Sequence, residues 1–370
     1  MTPPPGSTSA GTHPASPANA GARKAFYDAI SAHSMSPLWE VLHALVPKSP
    51  NTPCKPALWK FADVHPYLMQ SGQLITAEEA VRRVLILENP GLRGQSCITQ
   101  SLYAGLQVIM PGEIAPSHRH TQSALRFVVE GHGAYTAVDG ERTPMKPGDF
   151  IITPSWTFHD HGHQGRVDVD QPVVWLDGLD IPMLKFFDAG FAENGSAKSQ
   201  QVTKPEGLST HRYGANMLPV RTDANNAPFG KTSPIFSYPY DRTRDALHQL
   251  EQHADLDAWD GAKLRYINPL TGGSPMPTMA TFMQRLPAGF SGKPYRQTDG
   301  AVFSVVEGSG SVSIEFSGQS WTFEFGPKDH FVIPSWHTAT LHSQAGCVLF
   351  SFSDRPVHQA LGIHKEERLS

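Results

Sequence analysis

The chain has 370 residues, of which 39% are hydrophobic and 17% charged, so it can bury sizeable cores and is too apolar to be disordered throughout. Its 30 basic and 34 acidic side chains give a net charge of −4, which excludes a basic surface for nucleic acid or anionic membranes. No apolar run is long enough to cross a membrane. Three widely spaced cysteines without a Cys-x-x-Cys pair favour a reducing cytoplasm and exclude a zinc ribbon.

The N-terminal part predicts helices after an unstructured tail. Residues 1–22 are rich in Pro, Ser, Ala and Gly, which predicts disorder. Residues 23–83 predict short helices. Ser36 would cap one whose first helical residue is Pro37, and Thr76 opens a capping box that starts another.

The pattern changes at about residue 84 to short β-prone segments broken by Gly, Pro or Asp. They lie at residues 84–87, 106–110, 127–129, 135–138 and 150–152. Many short strands at close spacing predict a sandwich or barrel. The pattern is lost again over residues 194–259, which predict a linker containing a helix at 240–253.

The strand pattern then returns as an internal repeat. The string FVVEGHG at 127–133 matches SVVEGSG at 304–310, and PGDFIITPSW at 147–156 matches PKDHFVIPSW at 327–336. The matching residues are 177 to 180 positions apart, and small changes in spacing are what loop insertions produce. The sequence therefore predicts two copies of one β domain, residues 84–193 and 260–370.

Three histidines of the first copy have the pattern of a metal site. His118 and His120 are two residues apart, so on a strand both imidazoles point to the same face. His159 lies at the start of a later strand, which a closed sheet would bring beside the first pair. Three neutral imidazoles would hold one divalent ion and leave other coordination positions open.

The second copy lacks these ligands. The two alignments place Tyr295, Gln297 and Ala339 at the positions of the three histidines. We therefore predict one metal per chain and a structural role for the second copy, which would pack against the first copy or another subunit.

The spacing of Gly112, His118, His120, Pro154 and His159 resembles the two motifs of the cupin superfamily. The resemblance implies a small jelly-roll β-barrel with the metal inside. The fold class is then mainly β: a bicupin of two jelly-roll barrels with N-terminal and linking helices. Cupins usually add a glutamate ligand a few residues after the second histidine, whereas Ala124 and its neighbours supply no acid there.

A narrower resemblance covers most of the chain beyond its N-terminal tail. Residues 82–162, followed by VVWLDGLDIP, resemble the gentisate 1,2-dioxygenase family of ring-cleaving bicupins. The resemblance implies a cytoplasmic homotetramer of aromatic catabolism that holds non-haem Fe(II) and uses O₂ to convert gentisate to maleylpyruvate. Alternatives are a salicylate or 1-hydroxy-2-naphthoate dioxygenase, a metal-binding cupin without oxygenase activity, and a zinc or manganese isomerase.

Two positions are predicted to bind the carboxylate of a small aromatic acid. Arg126 lies six residues after His120 and would face the barrel interior, where a buried guanidinium needs an anion. The alternative is a structural ion pair with Glu130 or Asp149. Arg82 is a second candidate, although its neighbour Arg83 could be the inward-facing one instead.

Further candidates would contact the ring and its hydroxyls. Tyr103 and Gln107 share a strand face and would donate hydrogen bonds, or else only pack the barrel. His161 would accept a phenolic proton or steer oxygen, with a pKa near its ordinary value. Asp177 would orient a ligand or bind a hydroxyl, or else be a turn residue before Gly178.

Overall fold

The computed structural model describes residues 17–167, 169–221, 227–253 and 256–370. The described residues form two compact units, one within residues 17–51 and the other within residues 52–370. No helix among the described residues is long and apolar enough to span a membrane.

The smaller unit contains helices α1 (Pro17–Ser31) and α2 (Leu38–Leu45). The predicted tail, residues 1–22, lies mostly outside the described residues, but its last six belong to α1, because Pro17 suits the first helical position and alanines follow. The prediction that Ser36 caps α2 was wrong by one residue. Pro37 has an extended backbone and is itself the N-cap, so the helix begins at Leu38.

The larger unit contains six further helices in its described part. They are α3 (Phe61–Leu74), α4 (Ala77–Ala80), α5 (Ile181–Phe186), α6 (Leu208–Tyr213), α7 (Tyr240–His253) and α8 (Arg355–Ala360). The predicted helix at residues 240–253 is confirmed, as is the cap of α4, where the Thr76 hydroxyl accepts the Glu79 amide at 3.1 Å. Helix α3 was not predicted because Pro66 interrupts its pattern.

The described strands confirm the mainly β class. In the first half they are β1 (Ala57–Trp59), β2 (Val84–Ile86), β3 (Tyr103–Ile109), β4 (Ile114–His120), β5 (Ala124–Glu130), β6 (Ala134–Val138), β7 (Glu141–Pro144), β8 (Phe150–Thr153), β9 (His159–His163), β10 (Val173–Leu179) and β11 (Ala192–Asn194). In the second half they are β12 (Ser237–Tyr238), β13 (Ala262–Arg265), β14 (Ala280–Leu286), β15 (Phe290–Ser291), β16 (Tyr295–Gln297), β17 (Ala301–Gly308), β18 (Gly310–Phe316), β19 (Gln319–Phe325), β20 (His330–Ile333), β21 (Thr338–Ser343), β22 (Cys347–Ser353) and β23 (Glu366–Arg368).

Each barrel consists of two antiparallel sheets. In the described structure the first barrel has a larger sheet of six strands and a smaller one of five, whereas both sheets of the second barrel have six. In the first barrel the strand orders are β12-β8-β5-β10-β3-β2 and β11-β4-β9-β6-β7. In the second they are β1-β20-β17-β22-β14-β13 and β19-β18-β21-β16-β23, with β15 paired to β21. The edge strands are exchanged, since β12 comes from the segment before the second barrel and pairs in the first, whereas β1 precedes the first barrel and pairs in the second.

The larger sheet of the first barrel and the sheet of the second barrel that contains β1 share one apolar core. Phe127 of the first barrel stacks on Phe350 of the second with ring centroids 4.1 Å apart and planes within 6°. Phe150 packs against the same ring at 5.7 Å. The second copy therefore packs against the first, which is one of the two structural roles predicted for it.

Hydrogen bonds cross between the barrels in symmetry-related pairs. Asp180, at the end of β10, accepts from the Thr278 hydroxyl at 2.6 Å. Asp354, at the end of β22, accepts from the Ser101 hydroxyl at the same distance. Each barrel thus ends its last strand with a buried carboxylate bound to the other barrel.

The backbone pairing confirms the alignment of the two repeats. His118 lies opposite His159 in the first barrel, and Tyr295 lies opposite Ala339 in the second. The amide that follows Pro-Ser in each copy bonds an equivalent carbonyl at 2.7 Å, from Trp156 to His120 and from Trp336 to Gln297. The alignment thus places the correct residues at the former ligand positions.

Candidate metal centre

The three predicted histidine ligands meet inside the first barrel. Strand β4 carries His118 and His120, and the adjacent β9 begins with His159. Their ring centroids are 4.2 to 5.2 Å apart, and one nitrogen from each ring lies within 4.8 Å of the others. Among the described residues, no carboxylate or thiolate joins this cluster of possible ligands.

Backbone carbonyls orient two of the three imidazoles. Nδ1 of His120 lies 2.8 Å from the carbonyl oxygen of Gln122, and Nδ1 of His159 lies 2.9 Å from that of Thr157. A carbonyl oxygen only accepts, so Nδ1 carries the proton in both rings and Nε2 keeps its lone pair. Nε2 of His159 is buried without a hydrogen-bond partner, which suits a nitrogen that binds a metal.

The surroundings also keep these imidazoles neutral. Burial, and then the charge of Arg82, lowers the pKa of His118 to about 2, and burial lowers that of His120 to about 4. The pKa of buried His159 is likewise well below its ordinary value. Neutral imidazole is the form that coordinates a divalent ion, so the donor set fits a first-row metal.

The wall beside the histidines is formed by side chains that alternate between the two faces of each strand. In the larger sheet one set of side chains enters the core shared with the second barrel, as Leu125, Phe127 and Leu176 do. The opposite set points into the first barrel. Apolar residues such as Val128, Ile151 and Trp175 fill part of that interior, and the predicted polar residues lie on the same strand faces.

Arg126 is buried in this interior and lies next to the Asp177 carboxylate. Its Nη1 donates to the Thr153 hydroxyl at 2.6 Å, whereas its Nε has no hydrogen bond and lies 3.7 Å from Asp177 Oδ1. The predicted alternative partners are engaged elsewhere: Glu130 pairs with Lys328, and Asp149 accepts backbone amides. Burial lowers the pKa of Arg126 to about 10, so it remains charged at neutral pH.

Asp177 is not a turn residue, because it lies inside β10, directly opposite Arg126. It accepts a hydrogen bond from Trp175 Nε1 at 2.9 Å. Burial raises the pKa of Asp177 to about 6, although Arg126 opposes the rise. The main role of the Asp177 carboxylate is therefore to balance the charge of the buried Arg126 guanidinium.

The structure distinguishes the two neighbouring arginines. Arg82 lies at the metal centre, where Nη2 contacts Nδ1 of His118 and donates to the carbonyl of Pro116 at 2.8 Å. Burial lowers the pKa of Arg82 to about 9, which leaves it cationic. Arg83 is directed away and binds both oxygens of Glu113 at 2.7 and 2.8 Å.

Tyr103 and Gln107 line the same interior from β3. The larger sheet carries both side chains on the face opposite its apolar core. Gly105 lies between them, and a Cβ added there would lie 3.0 Å from the Tyr103 hydroxyl and 2.5 Å from Val84. Glycine at position 105 therefore leaves room for the hydroxyl of Tyr103.

His161 lies one pleat beyond His159, with ring centroids 5.8 Å apart. Its Nδ1 is 2.9 Å from the Thr136 hydroxyl, and its Nε2 is buried without a partner. The expectation of an ordinary pKa was wrong, because burial and then Arg126 lower the pKa of His161 well below that value.

Three contributors to this interior were not predicted from the sequence. Thr153 binds Arg126, Thr136 binds His161, and Trp175 binds Asp177 while its ring packs 5.4 Å from that of His161. Strand periodicity places all three on inward faces and could have identified them. Only the pairing of strands, however, shows which site residue each one touches.

Comparison with known proteins agrees with this geometry. Residues 105–178 match the cupin domain family. Gentisate 1,2 dioxygenase 1 of Aquipseudomonas alcaligenes is 51% identical, over 95% of this chain and 98% of that protein. The 1-hydroxy-2-naphthoate 1,2-dioxygenase of Nocardioides sp. is 37% identical, over 84% of this chain and 78% of that protein. The chain also resembles salicylate 1,2-dioxygenase from Pseudoaminobacter salicylatoxidans in its crystal structure with gentisate. The sequence identity is 34% and the TM-score is 0.86, and the match covers 98% of this chain and 97% of that protein.

Proposed function

Because this chain belongs to the gentisate 1,2-dioxygenase family of cupin proteins, we propose that it uses O₂ to cleave the ring of gentisate, giving maleylpyruvate. The observation that carries the proposal is the position of two arginines, the buried Arg126 and the half-buried Arg82, beside a three-histidine metal centre. The bond that breaks joins the carboxyl-bearing and the hydroxyl-bearing ring carbons, and both oxygen atoms of O₂ enter the product.

We propose that His118, His120 and His159 hold Fe(II), one ion per chain. Three neutral nitrogen donors suit a first-row divalent metal, and the absence of a carboxylate ligand among the described residues leaves the ion its full charge. Bound Fe(II) would supply the one-electron chemistry that allows O₂ to react with an aromatic ring. The remaining tasks fall to the side chains of the barrel.

The substrate carboxylate would be bound by Arg126 and Arg82. Both guanidiniums are charged, Arg126 is buried and Arg82 is half-buried, and Asp177 is the one carboxylate that pairs with Arg126 among the described residues. Arg82 has carbonyl and imidazole contacts but no ion pair with a carboxylate among the described residues, so an anionic substrate would supply the missing counter-charge. Asp177 would act as a positioning residue that fixes the guanidinium of Arg126.

The ring hydroxyls would be bound by Tyr103 and Gln107, and His161 would receive a proton at Nε2. Nδ1 of His161 is engaged by Thr136, which leaves the buried Nε2 as its free nitrogen. Because the pKa of His161 is strongly lowered, it would serve as a transient proton acceptor or hydrogen-bond partner rather than remain protonated.

We further propose a cytoplasmic homotetramer. All three cysteines, Cys54, Cys97 and Cys347, are unpaired, which suits a reducing compartment. Exposed apolar side chains support self-association: helix α2 has no buried residue, and Phe186 is 81% exposed in α5. Light scattering or sedimentation would test the number of subunits.

Oxygen uptake by the Fe(II)-loaded protein tests the proposed reaction. Gentisate, salicylate and 1-hydroxy-2-naphthoate would be compared at equal concentration, with His159→Ala as the control that lacks a metal ligand. We expect one O₂ consumed per gentisate and the absorbance of a ring-opened product. A larger kcat/KM for either alternative substrate would reassign the enzyme to that substrate, and no uptake with any of them would favour a cupin without oxygenase activity.

A further inference from the structure

A second cavity, outside the metal-binding barrel, has the character of a ligand site. It has a volume of about 640 Å³ and lies among helix α6, helix α7 and strands β13 and β14. Cavities of this size accommodate small organic molecules. The gentisate reaction assigns no role to it, because none of its lining residues belongs to the site described above.

The inner part of the cavity is apolar and aromatic. Met283 and Ile235 are buried at its base, and three tyrosines, Tyr213, Tyr238 and Tyr266, contribute to its lining. The rings of Tyr238 and Tyr266 meet edge to face, with centroids 5.4 Å apart. Aromatic walls of this kind favour a flat ring through further stacked or edge-on contacts.

Two hydroxyls lie together in this apolar interior. Tyr266 is only 8% exposed, and its hydroxyl lies beside the side chain of Thr243, which also lines the cavity. The Thr243 hydroxyl also has a 3.4 Å contact with the carbonyl of Pro239. A polar substituent of a ligand could form hydrogen bonds with these two hydroxyls.

The mouth of the cavity is positively charged. Arg242 and Arg265 are exposed lining residues whose side chains donate to the backbone carbonyls of Gly214 at 3.3 Å and Gly272 at 3.0 Å. All lining residues are described by the structure, and none of them is an aspartate or a glutamate. Two cations without an acidic neighbour in the lining favour an anionic group at the mouth.

We propose that this cavity binds a small aromatic carboxylate. The ring system would lie against Tyr238 and Tyr266, the Tyr266 hydroxyl would bond a polar substituent, and the carboxylate would lie between Arg242 and Arg265. The site is separate from the metal centre and needs neither iron nor O₂.

Calorimetric titration of the anaerobic Fe(II)-loaded enzyme with 2-naphthoate tests the proposal. This probe has a carboxylate and a two-ring apolar body but no ring hydroxyl. We expect two binding sites per chain in the parent, one at the metal centre and one in the cavity. Decanoate is the comparison ligand, because it keeps the carboxylate and replaces the rings with a flexible chain.

Variants separate the two sites. Ala246 lies on α7 at the cavity, so Ala246→Trp should remove one site while kcat and KM for gentisate stay within twofold. Arg242→Gln combined with Arg265→Gln should weaken the same site about tenfold without filling it, which is the loss expected for a charge-assisted hydrogen bond. The matched control is Arg244→Gln, which removes a cation from the same helix at a position outside the cavity.

Three results would overturn the inference. The first is a single 2-naphthoate site per chain that Ala246→Trp leaves unchanged. The second is tighter binding of decanoate than of 2-naphthoate, which would mean a fatty-acid-like ligand. The third is a change of oligomeric state in Ala246→Trp without any loss of 2-naphthoate, which would mean that a second copy of the chain covers the cavity.

Discussion

Asp177 lies directly opposite Arg126 on the neighbouring strand, with 3.7 Å between Oδ1 and Nε, and both side chains are buried inside the metal-binding barrel. The distance is too long for a hydrogen bond, so the carboxylate compensates the charge without occupying the guanidinium. Nη1 is held by Thr153. The pair therefore fixes the position of the charged Arg126 guanidinium, and its Nε keeps a free hydrogen-bond donor.

Replacing Arg126 should impair catalysis more than metal binding. We expect Arg126→Leu to keep its iron and to lose roughly tenfold to hundredfold in kcat/KM for gentisate, as a charge-assisted hydrogen bond is worth about 1.5–3 kcal/mol. Arg126→Lys should recover part of the loss, because it keeps the charge without the bidentate fork. Steady-state kinetics with parallel iron analysis would measure both.

Gentisamide provides the substrate-side control for Arg126. It replaces the carboxylate with a neutral amide, so it should be a poor substrate for the parent and relatively less penalised in Arg126→Leu. Parental turnover of gentisate by the iron-loaded variant would mean that the Arg126–Asp177 pair is only structural, and Arg82 would become the leading carboxylate ligand.

Arg82 and Arg83 should respond differently to the same substitution. Arg82→Met should lose roughly tenfold to hundredfold in kcat/KM with an unchanged melting temperature, because this guanidinium contacts the metal centre. Arg83→Met should lower stability by about 3 kcal/mol, because it leaves the Glu113 carboxylate without its bidentate partner. Kinetics and thermal melts of both variants provide the measurement, and the reverse pattern would exchange the two roles.

The repeats and the histidine triad could be predicted from sequence because their signals are local. Strand alternation places His118 and His120 on one face, and the Pro-Ser-Trp turns mark equivalent positions in both copies. The orientation of Arg82 could not be predicted. It depends on Val81, whose φ of +56° turns the chain sharply at the end of α4, and side chains rarely adopt that conformation.

Contacts between segments that are far apart in the chain could not be predicted from the sequence either. The exchange of β1 and β12 between barrels depends on which sheet edge each segment reaches, and no local pattern encodes that choice. The same reason explains Thr153 and Trp175, whose inward direction follows from periodicity but whose partners follow from strand register.

Metal content should be one ion per chain. The second barrel has Tyr295, Gln297 and Ala339 at the equivalent positions, and neither a buried phenol nor an alanine methyl replaces an imidazole. Substituting any of His118, His120 or His159 by Ala should abolish binding, whereas His342→Ala in the second barrel should leave it unchanged. Elemental analysis decides this, and a value near two for the parent would require a second site.

The buried carboxyl group of Asp180 should make stability depend on pH. Burial raises the pKa of Asp180 from 3.8 to about 6 in the folded protein, although its two oxygens accept from the Ser123 amide and the Thr278 hydroxyl. The folded state therefore holds the proton more tightly than the unfolded chain. The protonated carboxyl stabilises the fold at pH 4, and this contribution falls as the pH rises towards 6, by about 3 kcal/mol in all.

Asp180→Asn isolates this contribution, because the amide cannot ionise while the Thr278 hydroxyl can reverse and accept from it. We expect the melting temperature of the variant, relative to the parent, to rise between pH 4 and pH 6.5 and then remain constant. Asp180→Ala should lose both hydrogen bonds and be less stable than the Asn variant at every pH. A difference between parent and Asn variant that does not change with pH would mean that Asp180 is ionised in the folded protein throughout this range.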